Sequence, residues 1–392
     1  MKVGIITFHF PYNCGAVLQC YALKRVLEEK GHTVSVINYR PPYHQNRYTP
    51  YKNPFISARV RILDFPENAS LAFKVKSVTG GFYKAMLTWR NLPENKKQDD
   101  MFKNFTRDHL NETRKYRSLK MLKHCYPPFD IYISGSDQLW NPYITEGKFD
   151  EAYFLKFGRK ETIRVTYAVG ANFDTYPDVE SVLPQLLKDI DAISLREEKC
   201  LETVKKCAPH LQPVISVDPT LLLEKDAYHE LIPDTSLEKE HFILTYTMPD
   251  SSQRKVNETA KKLASKTGLK VIDACGQPLM GNREIEDNRK CGPSEFLWYM
   301  ERADYVLTNS FHGTAFSVIM EKQFFVIPHS KTGNRAIGLL EKMGVGDRWT
   351  YDPQQVLERI TEKIDYKKVN CKKEVVKEES LRYLDKCMEI KK

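Results

Sequence analysis

The sequence predicts an α/β fold of two domains, each built on a parallel sheet with helices on its faces. Three observations predict it. A strand, a loop, a helix and a second strand succeed one another between Val3 and Tyr39, an order that joins parallel strands. The same rhythm starts again at Phe242. The polar, turn-forming residues gather directly after apolar strands, where open parallel sheets hold ligands. With 392 residues, 41% of them hydrophobic and 28% charged, the chain suits two or three globular domains and not a disordered polymer.

Val3–Phe8 is a short β-branched run of the kind buried in a parallel sheet. A loop with Pro11, Asn13 and Gly15 follows, and then Ala16, Cys20, Leu23 and Leu27 recur at helical spacing until Gly31 closes the helix. Thr33–Tyr39 is the next strand. Residues 41–125 interrupt the pattern with prolines, aromatics and cations, and predict a loop followed by two or three inserted helices. Strands resume at Asp130–Ser134 and Ile163–Val169, with Gly135-Ser136-Asp137-Gln138 as a loop after the first of them. A strand leading to Ser194, a helix from Leu195 through Cys207, and a strand at Val214–Val217 complete this half.

In the second half, strands are expected at Phe242–Thr247, Lys270–Asp273, Asp304–Leu307 and Phe324–Ile327. Helices are expected at Ser252–Thr267, Pro293–Arg302, Thr314–Lys322 and Arg335–Met343, with a last one at Glu374–Ile390. The division that results is 1–212, 213–365 and a terminal helix within 366–392. Two Rossmann-like domains facing each other over a cleft constitute the GT-B architecture, and the strand-end loops should line that cleft.

The net charge of +9 is uneven, since residues 51–125 alone hold sixteen Lys and Arg against seven Asp and Glu. Such a patch suits anionic lipid, a diphosphate-linked substrate or nucleic acid, and equally a solvated helical face. No recognised nucleic-acid motif accompanies the charge, so no nucleic-acid partner is expected. The nine cysteines lack any C-x-x-C or zinc-type spacing, which fits free thiols in a reducing compartment. No apolar run approaches the ~18 residues of a membrane span, and the start of the chain does not read as a signal peptide. The expectation is a cytoplasmic protein, with peripheral contact at the inner face of the membrane as a role for the basic insert.

The chemistry is expected around Thr308–Thr314, where an apolar strand stops at a polar turn and a helix begins. The first N–H groups of that helix attract anions. Asn309 and Ser310 can cap it or meet a phosphate, His312 can move a proton, and Gly313 lets a ligand approach the backbone. A buried structural histidine beside an ordinary turn is the plainer alternative. Arg196 opens a helix and suits a carboxylate or phosphate, or a salt bridge to Glu197 or Glu198. Lys331 and Arg335 follow a strand and suit a second anionic group, or solvent. In the first half, Asn13 sits in a turn. Asp137 suits a base or a sugar-hydroxyl ligand, and Trp140 a sugar platform; a capping Asp and a core Trp are the alternatives. No Walker A, H-E-x-x-H or G-x-S-x-G sequence and no metal-ligand cluster occurs, so no metal or cofactor is expected.

These blocks in this order resemble the polysaccharide pyruvyl transferase family. The resemblance rests on Ile5–His9 with Asn13–Gln19, Gly135–Asn141, Ser194–Glu197, Asp218–Leu222 and above all Thr308–Ser317. It implies phosphoenolpyruvate as co-substrate and a sugar acceptor, including one carried on undecaprenyl diphosphate. The product would be a pyruvate ketal on a capsule, exopolysaccharide or other cell-surface glycan. It makes His312 the catalytic histidine and Arg196 and Lys331 the donor cations; Asp137 joins His312 as a catalytic candidate on the strength of its own strand-end loop. Ser310, Asn309, Gly313 and Arg335 then belong to the donor side in the second domain. Asn13, Ser136, Gln138 and Trp140 belong to the acceptor side in the first. A GT-B glycosyltransferase using a nucleotide sugar is the alternative, because fold alone does not fix function.

Overall fold

Among the described residues, the first half of the computed structural model holds eight short strands. They are β1 (Lys2–Ile6), β2 (Thr33–Val36), β3 (Ile131–Ser134), β4 (Asp137–Trp140), β5 (Ile163–Thr166), β6 (Val169–Ala171), β7 (Ser194–Leu195) and β8 (Val214–Ile215). They form two four-stranded parallel sheets, ordered β2-β1-β3-β5 and β4-β6-β7-β8. A bridge from Val165 to Ala192 links the two. The second half carries β9 (Phe242–Tyr246), β10 (Lys270–Cys275), β11 (Asp287–Lys290), β12 (Tyr305–Thr308) and β13 (Gln323–Val326) in one parallel sheet, ordered β11-β10-β9-β12-β13. The architecture is the GT-B-like pair of Rossmann-like domains. The structure describes residues 1–45, 52–55, 70–173, 176, 178–233, 240–275, 285–330 and 332–392.

The helices that matter for the site are α1 (Cys14–Glu29), α2 (Leu71–Arg90), α3 (Leu92–His109), α4 (Ser251–Thr267), α5 (Pro293–Arg302), α6 (Phe311–Ile319), α7 (Asn334–Met343) and α8 (Tyr366–Met388). Several boundaries differ from the sequence reading. β4 is a strand where a loop is expected, because Asp137–Trp140 extends a second sheet beside β6. α6 starts at Phe311 and not at Thr314, since Ser310 caps it, and this puts His312 in the first helical turn. β11 has no counterpart in the sequence reading, its residues Asp287–Lys290 being polar and only half-buried. β8 pairs with β7, so the first group of sheets runs past residue 212.

The domains share apolar packing. One continuous core runs from Val3, Leu18 and Leu23 through Leu221 and Tyr228 to Phe296, Phe316 and Leu384. The expected insert yields α2 and α3, while residues 46–51 and 56–69 of its expected loop lie outside the described residues. α3 is not merely a solvated face. Gln98 donates to the Cys291 carbonyl at 3.0 Å, and a Cβ on Gly292 would lie 2.6 Å from Met101 Cβ, so α3 presses on the segment joining β11 to α5. α8 ties the halves together from the other side. Lys373 pairs with Glu224 at 2.9 Å, the Ser380 hydroxyl accepts from the Val217 amide, and the Tyr383 hydroxyl donates to the Thr166 carbonyl at 2.8 Å.

Candidate active site

At the end of β12, Thr308 turns the chain by accepting from the Ser310 amide at 3.0 Å. Asn309 spends its whole amide on the neighbouring loop. Its Oδ1 accepts from Met248 N, and its Nδ2 donates to Met248 O, Asp250 and Ser252. Ser310 caps α6 by accepting from the Gly313 amide at 3.5 Å. These bonds fix the backbone that carries His312, which is 7% exposed.

The imidazole rests on the other domain. A Cβ built on Gly15, in the first turn of α1, would come within 2.1 Å of His312 Cγ. Among the described residues His312 Nε2 has no hydrogen-bond partner, and Asp218 Oδ2 stands 3.7 Å from it. Asp218 is wholly buried and joins several elements. Its Oδ1 accepts from Thr220 N and Thr220 Oγ1, and its Oδ2 accepts from Ser136 Oγ at 3.1 Å and Arg196 Nη1 at 2.8 Å. Burial acts to raise the Asp218 carboxyl, but His312 and then Arg196 outweigh it and hold it well below the usual carboxylate range.

Arg196 is 6% exposed and follows β7. Its Nε meets Glu197 at 3.1 Å, its guanidinium lies 4.7 Å over the Phe311 ring, and its Nη2 is buried without an acceptor among the described residues. Two carboxylates therefore balance its charge, and one N–H direction stays unused. Arg335, in the first turn of α7, differs. Its guanidinium makes no hydrogen bond or ion pair among the described residues. Burial, and after it the proximity of Arg196, lowers its pKa, yet a guanidinium keeps its proton in proteins.

Two cavities meet at these groups. One of about 310 Å³ is lined by Asn13, Asp137, Ser310, His312 and Arg335 among others. The adjoining one, about 490 Å³, is lined by Arg196, Asp218, Ser216 and Lys342 among others, and Gln138, Phe311 and Arg335 line both. Asn13 caps α1 by accepting from Ala16 N at 3.2 Å, so the start of a second helix lies at the smaller cavity. Asp137 has a φ of 75°, a left-handed value rare for a residue with a Cβ, and its carboxylate accepts from the Gln138 amide at 2.8 Å. Strained backbone of this kind gathers at functional sites. Gln138 donates to Glu197 at 3.0 Å and so braces the Arg196 pair from the first domain.

Several expected site residues are structural. Trp140 is fully buried, stacks on Phe154 at 4.6 Å with 5° between the rings, and donates to the Tyr153 carbonyl, leaving no face for a sugar. Gly313 has no room because Thr308 Oγ1 would stand 2.2 Å from a Cβ there, so what approaches its backbone is protein and not ligand. Asn309 is a loop clamp with its amide consumed. Ser136 is buried and holds Ala168 O and Asp218, which makes it a support. Lys331 lies outside the described residues. Asp218 and Gly15 are the residues missed. Both lie in blocks that carry the family resemblance, Asp218 in a strand-exit turn and Gly15 in the first loop, but no local pattern marks either as a neighbour of His312.

The fold and the site define a two-domain α/β protein in which two arginines, one buried and one half-buried, and a buried histidine meet in cavities between two parallel-sheet domains. The chain belongs to the polysaccharide pyruvyl transferase family, whose model matches residues 13–331, and is therefore a transferase. No curated protein matches the sequence. Among solved structures, UDP-GlcNAc 2-epimerase from Neisseria meningitidis is similar, with 9% identity, a TM-score of 0.45, and 97% of this chain and 100% of that chain covered. UDP-N-acetylglucosamine 2-epimerase from Rickettsia bellii shows 14% identity and a TM-score of 0.47, with 98% and 96% covered. Spinosyn rhamnosyltransferase shows 13% identity and a TM-score of 0.40, with 99% and 96% covered.

Among the described residues no group of three or more His, Cys, Asp or Glu is arranged to hold a metal ion, and no helix is long and apolar enough to cross a membrane.

Proposed function

We propose that the protein moves the enolpyruvyl group of phosphoenolpyruvate to a sugar of a cell-surface polysaccharide or its lipid-linked precursor, forming a pyruvate ketal and releasing phosphate. Beyond family membership, one observation carries this reading: the half-buried guanidinium of Arg335, without a hydrogen bond or ion pair among the described residues, lines the same cavity as His312. A small ligand bearing a carboxylate and a phosphate supplies a hydrogen-bonded anionic partner for Arg335, and its carboxylate or phosphate can also accept from Nη2 of Arg196. The starts of α1 and α6 add N–H groups to that anion site.

In this reading a sugar hydroxyl attacks C2 of the donor and gives up its proton while C3 gains one. The C2–O bond to phosphate then breaks, and a second hydroxyl of the same sugar bonds to C2 and closes the ketal, its proton leaving with the phosphate. His312 transfers the proton, Asp218 holds the charge balance behind the ring, and Asp137 faces the incoming hydroxyl. No metal or cofactor enters these steps.

Calorimetric titration with phosphoenolpyruvate, and separately with UDP- and GDP-hexoses, tests the reading without an acceptor. Phosphoenolpyruvate should bind, with affinity reduced roughly tenfold or more by Arg335→Ala. Binding of a nucleotide hexose with no phosphoenolpyruvate signal would assign the cleft to glycosyl transfer instead.

A further inference from the structure

Helix α2 carries a solvent-exposed apolar stripe. Leu71 is 78% exposed, Met86 66%, Val75 54% and Trp89 51%. At 100° per residue these four fall within a sector of about 60° on one face of the helix. Tyr83 borders the stripe, and Phe55, 74% exposed, stands against Phe82 beside it. The anchored face lies beside the stripe, with Gly81, Ala85 and Thr88 buried and the Thr88 carbonyl accepting from Asn95 of α3 at 3.1 Å, while the far side carries Phe73, itself 51% exposed.

The charge on α2 is of one sign. The helix carries Lys74, Lys76, Lys84 and Arg90 and no Asp or Glu. By helical position Lys74 flanks the stripe on one side, and Lys76 and Arg90 on the other. An apolar stripe between cations is the pattern of helices that lie in a lipid–water interface. It also argues against a second copy of the chain as the occupant, because pairing this face with itself would set like charges together.

The stripe lies next to the cleft. Lys52 donates its amide to Thr88 at 2.9 Å and accepts from the Trp89 indole at 3.1 Å, and the same residue lines the cavity that holds His312 and Asp137. We propose that this face of α2 docks on an anionic membrane surface, with Leu71, Val75, Met86 and Trp89 entering the headgroup layer and Lys74, Lys76 and Arg90 meeting lipid phosphates. Docked in this way, the cleft opens close to the membrane plane, where a sugar carried on a lipid diphosphate is presented. The docking stands independently of the donor assignment.

Flotation of the full chain with vesicles of phosphatidylcholine, alone or mixed with phosphatidylglycerol, tests this. The protein should float with the mixed vesicles and not with phosphatidylcholine alone, and should come off as salt rises. The double variant Val75→Asp, Met86→Asp should partition roughly tenfold less or weaker. Both positions are exposed and outside the catalytic groups, so its thermal unfolding and phosphoenolpyruvate titration should match the parent. Failure to float with either vesicle overturns the proposal, and so does equal flotation with both. A concentration-dependent dimer abolished by the double variant would assign the stripe to a second copy and overturn it as well. A failed donor titration beside successful flotation removes the proposed reaction and leaves the docking intact.

Discussion

Gly15 and His312 lie on different domains, and the contact between them makes a prediction that separates activity from stability. Gly15→Ala drives a methyl into the imidazole, so phosphate release should fall by a large factor while the melting temperature shifts by only a few degrees. His312→Ala should lose roughly 10²- to 10⁴-fold in phosphate release with the fold preserved. A second prediction concerns Glu112, whose carboxylate stands 2.8 Å from His9 Nε2 and 3.0 Å from Arg40 Nη2. Burial acts to raise this carboxyl, but His9 and Arg40 outweigh it and bring it to about 2 from an ordinary 4.5. A folded-state value below the unfolded one contributes stability that is fully present above pH 4.5 and drains away as pH falls toward 2. Melting curves between pH 6 and 3 should therefore flatten in Glu112→Gln, with a lower plateau near neutrality. At this scale the sequence made His312 legible, because a histidine among Asn, Ser and Gly at a strand end has little use in packing alone. It could not make Asp218 legible, because the pairing spans the chain from one exit turn to another. Trp140 misled because a tryptophan after a glycine loop has the same local pattern whether it faces a sugar or the core, and only the position of β4 inside a sheet separates the two.

Among the elements, α3 shows why an insert can look dispensable in sequence and be structural in space. Its composition is charged, yet Asn95 and Gln98 are buried, and Gln98 satisfies the Cys291 carbonyl on the far domain. Gln98→Leu should cost about 1 to 3 kcal/mol, read from urea unfolding, because that carbonyl loses its donor in a buried place. The strands of the second domain were legible because a central parallel strand is apolar on both faces, as in β9 and β12. β11 was not, since an edge strand of Asp, Asn, Arg and Lys carries no apolar period. The helix starts were misjudged by a few residues where a serine cap, as at Ser310, lies ahead of the first apolar repeat.

For the molecule as a whole, the two-domain plan was readable from the renewed α/β rhythm, but the degree of coupling was not. A core that passes from Val3 to Leu384, a bridge through α3 and another through α8 unite halves that the sequence presents in succession. Equilibrium unfolding in urea should accordingly be one transition by both fluorescence and circular dichroism. Removing residues 366–392 should split it into two, because α8 contacts Glu224 and Ser317 as well as Thr166.

The same helix has a consequence for biosynthesis. The carbonyl of Thr166 waits for a hydroxyl 217 positions later in the chain. A polypeptide leaving the ribosome therefore carries an incompletely covered first domain through most of its translation, with apolar surface that α8 later helps to hide. Chaperone dependence during synthesis, and sensitivity to premature stop codons ahead of residue 366, follow from that order of assembly.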